Sequence, residues 1–264
     1  MKTSRTLVVA LFLGSVALPA ASRAGQPLET ESARLLPRGG FEVETGLEHQ
    51  SSSQGTELAL PFAIGYGVRD RIELLVEPVP FSAIHDKGLP SQYGVGDVEA
   101  TVTGLVAPER GHRPAFAIAG EVKIPTAHNT RIGSGKADYT VYAIGSERIG
   151  RWDTHLNLGY TWIGRPAGVQ VNDVQSFGLA EEFHANARVD LVGEFFGSSA
   201  ALSEGSGEGA PGAESQVTPE IGGAELVGTL GARYHPSGPL SYSLGVSYDN
   251  NNALLIHPGA SIRW

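Results

Sequence analysis

After residue 40, apolar residues alternate with polar or small residues along almost every segment of the sequence. In 240–249, for example, Leu240, Tyr242 and Leu244 alternate with serines and a glycine. Successive side chains of a β-strand point to opposite faces, so a period of two predicts strands with one apolar and one polar face. A helical period is absent beyond the first residues. The sequence therefore predicts an all-β chain.

The alternation divides the sequence into twelve candidate strands. They are 41–49, 57–68, 72–79, 98–106, 114–124, 138–146, 153–163, 174–183, 188–196, 224–234, 240–249 and 253–264. A tilted strand that crosses a bilayer needs about 9–11 residues, and bacterial outer-membrane barrels have an even number of antiparallel strands.

The links between these strands also alternate, between short turns and longer or more polar loops. The longer loops are 51–56, 80–97, 125–137, 164–173 and 197–223. Outer-membrane barrels have short periplasmic turns and long outer loops. We therefore predict a transmembrane antiparallel β-barrel, with twelve strands whose apolar faces contact lipid. Whether loops 80–97 and 197–223 fold into the barrel remains open.

The first 24 residues have the pattern of a secretory signal peptide. Lys2 and Arg5 precede an apolar run over 6–18, and Ser22 and Ala24 are small residues at the −3 and −1 positions. The run is about 13 residues, whereas a membrane-spanning helix needs about 20, so a cleaved leader is favoured over an anchor. We predict cleavage before Gly25 and a location in the bacterial outer membrane. The predicted divisions are a signal peptide over 1–24, a periplasmic N-terminal segment over 25–40 and the barrel over 41–264.

Outward aromatic residues fall near the strand ends when the first strand is taken to run upward from the periplasm. Amphipathic rings prefer this depth because they meet the lipid headgroups there. Trp264, the last residue, is typical of the C-terminal aromatic signal of such barrels. We expect contacts with outer-membrane lipid, and with the barrel-assembly machinery through the C-terminal strand. The candidate interface residues are Tyr66, Tyr160, Trp162, Tyr234, Tyr248 and Trp264.

The polar faces predict a lumen with an excess of acids. The candidate lining residues are Glu48, Glu57, Glu77, Glu99, Glu121, Lys123, Asp190, Glu194, Arg233 and Arg263. Strand adjacency predicts three ion pairs, which are Glu99 with Lys123, Arg233 with Asp190, and Arg263 with Glu42. Such a lining favours cations or neutral solutes over anions, although a hydrated wall without preference remains equally open. Small inward residues, among them Ala117, Ala119, Gly178 and Gly245, leave space for a narrow conduit.

Composition excludes several other functions. A formal net charge of −9 opposes binding to the phosphate backbone of nucleic acids. The absence of cysteine excludes disulfides, a thiol nucleophile and cysteine-ligated zinc. The eight histidines are scattered without metal-ligand spacing, and we expect no cofactor.

Three functions remain in order of preference. The first is a channel or transporter for passive passage of a small solute, and the second is a structural or surface barrel that does not conduct. The third is an outer-membrane lipid hydrolase, which needs a Ser and a His together on the lipid-facing surface. Such a pair with an orienting third group is not found, so we expect no enzymatic activity.

Several stretches resemble the family grouped as "MetA-pathway of phenol degradation". They are 27–33, 36–46, 64–74, 94–99, 123–126 and 156–160. The resemblance implies an outer-membrane transporter for small, often aromatic or poorly polar solutes. It implies no catalytic residues.

Overall fold

The computed structural model describes residues 25–166, 170–201 and 224–264. In these ranges no helix is long and apolar enough to cross a membrane. The strands are β1 (Phe41–Gly46), β2 (Glu48–Ser51), β3 (Gly55–Ala59), β4 (Phe62–Arg69), β5 (Ile72–Pro78), β6 (Ser82–Asp86), β7 (Gln92–Gly94), β8 (Val98–Ala107), β9 (Ala115–Ile124), β10 (Asp138–Ile149), β11 (Trp152–Trp162), β12 (Val174–Asn186), β13 (Val189–Ser198), β14 (Glu225–Tyr234), β15 (Leu240–Asp249) and β16 (Leu254–Arg263).

Twelve of these strands close into an antiparallel barrel. Their order is β1-β4-β5-β8, followed by β9 to β16 in sequence, and β16 pairs with β1 to close the ring. The closing seam runs from Glu42 opposite Arg263 to Gly46 opposite Gly259. Closure leaves no free strand edge in the wall, as lipid requires of a spanning sheet. The predicted twelve-stranded transmembrane barrel is therefore confirmed.

The remaining strands, β2, β3, β6 and β7, extend the barrel wall beyond β1, β4, β5 and β8, at the end with the long loops. They are separated from β1, β4, β5 and β8 by breaks that lie side by side. The Gly46 amide donates to Pro61 at 3.2 Å, the Leu60 amide donates to Phe81 at 3.0 Å, and the Gly96 amide donates to Val79 at 2.7 Å. Pro61 has no amide hydrogen, which explains why the predicted single strand over 57–68 is interrupted there.

The segment 80–97, predicted as a loop, contains the hairpin β6–β7. The strand β6 pairs with β3 and continues the barrel wall outward. Ala83 and Ile84 are consecutive and both buried, so the period of two that identifies the other strands is lost here. In the other long loop, residues 202–223 lie outside the described part of the chain.

Large apolar side chains cover the outer surface of the barrel. Leu230 is 75 % exposed, and Ile118, Leu158 and Leu244 are each more than half exposed. Such a surface is stable only against lipid. The predicted interface aromatics lie near both ends of the wall. At the end with the short turns, the Trp264 ring is 5.5 Å from the Phe41 ring, and at the other end Tyr160 and Trp162 are 5.0 Å apart.

Candidate functional site: the barrel lumen

Residues 25–40, hereafter the inner segment, run inside the barrel as far as Leu36 and are exposed at 37–39, at the short-turn end. The sequence predicts a periplasmic stretch ahead of the barrel, but the structure shows this stretch making almost one circuit of the inner wall. It passes β14 and β15 at Pro27, β12 and β13 at Leu28, β11 at Glu31, β10 at Ala33 and β5 at Leu36. It then joins β1 at the short-turn end, which is the periplasmic end in outer-membrane barrels.

Inward carboxylates of the wall accept hydrogen bonds from the backbone of the inner segment. Glu194 accepts from the amides of Glu29 and Thr30 at 3.0 and 2.6 Å. Glu73 accepts from the amide of Leu36 at 2.6 Å. The segment forms no strand, so these bonds supply the partners that buried backbone amides require. Glu194 therefore holds the chain itself in the lumen.

Small inward side chains make room for the apolar residues of the inner segment. Leu28 packs with Ala180 and Val192, each at most 7 % exposed. Ala33 is fully buried in a second cluster, which contains three alanines of β9, Ala115, Ala117 and Ala119, together with Ile144. Part of the space that the sequence assigns to a conduit is thus occupied.

A network of charged side chains fixes the inner segment at the short-turn end. The Arg34 guanidinium is 2.8 Å from Asp153 and 2.8 Å from Glu109. Arg148 donates to the same Asp153 carboxylate at 2.9 Å. His184 lies between two acids, 2.9 Å from Asp153 and 2.7 Å from Asp190. The two arginines and His184 thus bring charge complementarity to acids that the barrel buries.

One of the three predicted ion pairs forms as expected. Arg263 lies opposite Glu42 across the closing seam, and its guanidinium is 2.8 Å from the carboxylate. The pair is partly buried, since the Glu42 side chain is 3 % exposed. It links the first and last strands of the barrel.

The other two predicted pairs have different partners. Lys123 is opposite Glu99 in the ladder, but its ammonium contacts Asp138 on the other neighbouring strand. Arg233 is opposite Asp190, but its guanidinium is 2.9 Å from Glu182, also on another strand. Asp138 is on the other strand adjacent to Lys123, whereas Glu182 on β12 is two strands away from Arg233 on β14. Long side chains in the lumen therefore reach past the residue that lies opposite them.

Above the inner segment, the lumen opens into a cavity of about 600 Å³, hereafter the outer chamber. Its described lining includes thirteen acids and only two bases of the Lys/Arg type, Lys123 and Arg131. In the described ranges no group of three or more His, Asp or Glu side chains could hold a metal ion. Asp190, Glu194, Arg233 and Arg263 lie outside the lining of the chamber, at or below the level of the inner segment. The predicted lumen residues that line the chamber are Glu48, Glu57, Glu77, Glu99, Glu121 and Lys123.

The sequence profile of the family described as "MetA-pathway of phenol degradation" matches residues 24–224. The chain belongs to this family. A comparison with curated protein sequences gave no match. The predicted family membership is therefore confirmed on most of the chain.

Solved structures share the fold of this family member at low sequence identity. The COG4313 outer membrane channel from Pseudomonas putida F1 is 12 % identical, with a TM-score of 0.67 over 88 % of this chain and 98 % of that one. A NanC porin is 12 % identical, with a TM-score of 0.56 over 83 % and 98 % of the two chains. A KdgM porin is 7 % identical, with a TM-score of 0.52 over the same shares. These folds are outer-membrane barrels, and the chain is an outer-membrane β-barrel.

This member of the phenol-degradation family has a Ser–His–carboxylate arrangement that the sequence did not reveal. Ser146 is 2.8 Å from His155 Nδ1, and His155 Nε2 is 3.5 Å from Glu182. All three side chains are at most 2 % exposed, and Ser146 also accepts a hydrogen bond from Ala33 of the inner segment at 2.9 Å. A nucleophile needs access to its substrate. The arrangement therefore supports the inner segment and offers no site for hydrolysis.

Proposed function

We propose that the chain is a passive outer-membrane channel for small solutes. The observation that carries this proposal is the outer chamber, whose wall carries thirteen acidic side chains although the outer surface of the same strands is apolar. A polar wall inside a barrel is a feature of water-filled pores. The sequence predicts the same role of channel or transporter. The charge of the chamber and the width of the path bear on which solutes pass.

The charge of the chamber favours cations and neutral solutes. Glu77, Glu99 and Glu121 lie on adjacent strands and line the same wall. A cleft lined by one sign of charge raises the local concentration of counter-ions and repels ions of like charge. The family description points to phenolic compounds, and a phenol is uncharged at neutral pH because its hydroxyl titrates near pH 10. A small aromatic solute of this kind is compatible with the acidic wall.

The inner segment sets the width of the path. It occupies the lumen between the outer chamber and the short-turn end, where Arg34 and Leu36 are tied to wall carboxylates. Passage therefore depends on the gap that this segment leaves or on its displacement. We infer a low basal conductance and a small size limit.

Ion selectivity tests the proposal directly. In a planar bilayer with a salt gradient, the reversal potential should show cation selectivity. The triple substitution Glu77→Gln, Glu99→Gln and Glu121→Gln should reduce this selectivity, because it removes three acidic groups of the chamber and keeps their volume. Anion selectivity of the unsubstituted protein would reject the proposed role of the chamber.

Two acids on the outer surface provide a matched control. Glu147 and Glu181 flank Thr154 on the lipid-facing side of β10 to β12, and Thr154 donates to Glu181 at 2.8 Å. Replacing both by Gln changes the net charge of the protein but not the charge of the chamber. The selectivity of this variant should equal that of the unsubstituted protein.

A barrel that does not conduct is the second candidate function. The observation that favours it is the inner segment, which buries Ala33 completely against β9 and ties Leu36 to Glu73. If the protein shows no conductance and liposomes that contain it do not swell in any of a panel of small solutes, phenol included, this second function is the correct one.

A further inference from the structure

The wall of the lumen holds the first two residues of the inner segment by their backbone. Arg233 donates from Nε to the carbonyl of Gln26 at 2.8 Å, and its Nη2 donates to the carbonyl of Gly25. The amide of Gln26 donates to Glu44 at 3.2 Å. A guanidinium thus holds the two carbonyl groups and a carboxylate faces the nitrogen side, so each charged group matches the polarity of the backbone that it contacts.

Pro27 anchors these two residues. It is among the fully buried residues of the barrel, and it packs against the backbone of β14 and β15 at Gly231 and Gly245. A side chain on either glycine would collide with the proline ring. The position of Gly25 relative to the wall is therefore fixed by packing as well as by hydrogen bonds.

Glu44 lies directly against Gly25. A Cβ atom on this glycine would be 2.7 Å from Glu44 Oε1 and 3.0 Å from Oε2, so a side chain there would displace the carboxylate. The nitrogen of Gly25 is bonded to the same Cα and is about 2.5 Å from that Cβ position, so it lies within about 5 Å of the Glu44 carboxylate. Gly25 borders the outer chamber as well.

We infer that the lumen contains a binding site for the free α-ammonium group of Gly25, with Glu44 as its counter-ion and Arg233 holding the adjoining carbonyls. The inference rests on the predicted cleavage before Gly25 and not on conduction. Hydrolysis of the Ala24–Gly25 bond adds the hydroxyl of water to the Ala24 carbonyl carbon and a proton to the Gly25 nitrogen. An α-amine is largely protonated at neutral pH.

Cleavage changes what Gly25 presents to Glu44. Before cleavage, its nitrogen is a neutral amide with one hydrogen. Afterwards it is a cation with three donors, and a charged donor binds a carboxylate more strongly than a neutral one does. Removal of the leader therefore completes the site that holds the inner segment in the lumen.

Chemical labelling of the amino terminus tests the inference. The processed protein is purified from outer membranes in detergent and treated with 2-pyridinecarboxaldehyde, which reacts selectively with N-terminal α-amines. Sequencing should give Gly25 as the first residue. Labelling of the folded protein should be about tenfold slower or more than labelling after unfolding, because the amine reacts only when the segment opens.

The substitution Glu44→Gln keeps an acceptor for the Gln26 amide and removes the charge. It should raise the labelling rate of the folded protein about tenfold, towards the rate of the unfolded chain. Glu48→Gln is the matched control, because it neutralises the next inward acid along the same wall and should leave the labelling rate unchanged. Folding of both variants is checked by their heat-modifiable mobility in electrophoresis.

A second variant keeps the test decisive if Glu44→Gln fails to fold. Two alanines inserted between Ala24 and Gly25 leave every wall residue intact and move the ammonium away from Glu44. This variant should also be labelled about tenfold faster. A first residue other than Gly25 in the unsubstituted protein, or equal labelling rates in all variants, would overturn the inference. Absence of conductance alone would reject the channel and leave this site unaffected.

Discussion

Arg34 of the inner segment lies 2.8 Å from Asp153 of β11, whose side chain has no exposure to solvent. The same arginine bonds to Glu109, in the turn between β8 and β9, at 2.9 Å. We expect Arg34→Gln to loosen the inner segment at the short-turn end and to increase single-channel conductance severalfold. It should also lower the unfolding free energy in detergent by about 1–3 kcal/mol, because a contact to the buried Asp153 is lost. The loss is no larger because Asp153 retains Arg148 as a partner.

The control for this variant is Arg38→Gln. Arg38 is on the same segment but its side chain is exposed at the short-turn end. Its replacement should change neither conductance nor unfolding. Equal effects of the two substitutions would mean that net charge, and not the contact with Asp153, is responsible.

A larger side chain at Gly178 should displace the inner segment from the wall. A Cβ atom there would collide with the Thr30 hydroxyl of the segment. We expect Gly178→Val to displace the segment from β12 and to increase conductance, with bilayer recording as the measurement. The barrel itself should still form, because valine is favourable in strands.

Gly228 provides the comparison for Gly178→Val. It faces outward on β14, and a Cβ atom there would have no neighbour within 4 Å. Gly228→Val should leave conductance as it is in the unsubstituted protein. If Gly178→Val conducts no better than Gly228→Val, the inner segment does not limit the path.

The wall of the barrel could be predicted from the sequence, but the contents of the lumen could not. Alternation identifies which side chains point inward, because the period of a strand is fixed by its geometry. It does not say what fills the interior. Gly178 and Gly245 indicated space for a solute, whereas Thr30 and Pro27 of the same chain occupy it.

Ion-pair partners show a second limit. The order of strands places Lys123 between Glu99 and Asp138, and both acids are in register with it. Only the packing of the lumen decides that the ammonium contacts Asp138. The hydrogen bonds from the inner segment to Glu194 and Glu73 leave no comparable signal, since they use backbone amides, which any sequence offers.

Trp264 is expected to act in assembly as well as at the membrane interface. Its ring packs against Phe41, and the backbones of the two residues exchange hydrogen bonds at 2.9 and 3.2 Å. Trp264→Ala should remove a contact of about 0.5–1.5 kcal/mol and reduce the amount of folded barrel in outer membranes. Trp162→Ala, at the opposite rim, should lower the stability of the barrel by a similar amount. It should not reduce the amount of folded barrel in outer membranes. Equal yields of the two variants would argue against recognition through the C-terminal strand.

The direction of the side chains on β14 can be tested with a single buried charge. Leu230 is 75 % exposed in the middle of the outward face, whereas Val227 faces the acidic chamber on the same strand. In phospholipid vesicles, Leu230→Arg should lower the unfolding free energy by about 2–4 kcal/mol, because arginine must then enter the hydrocarbon. Val227→Arg should lower the unfolding free energy much less, since water and carboxylates of the chamber surround the new side chain. Guanidinium titrations measure both, and equal costs would mean that lipid does not contact Leu230.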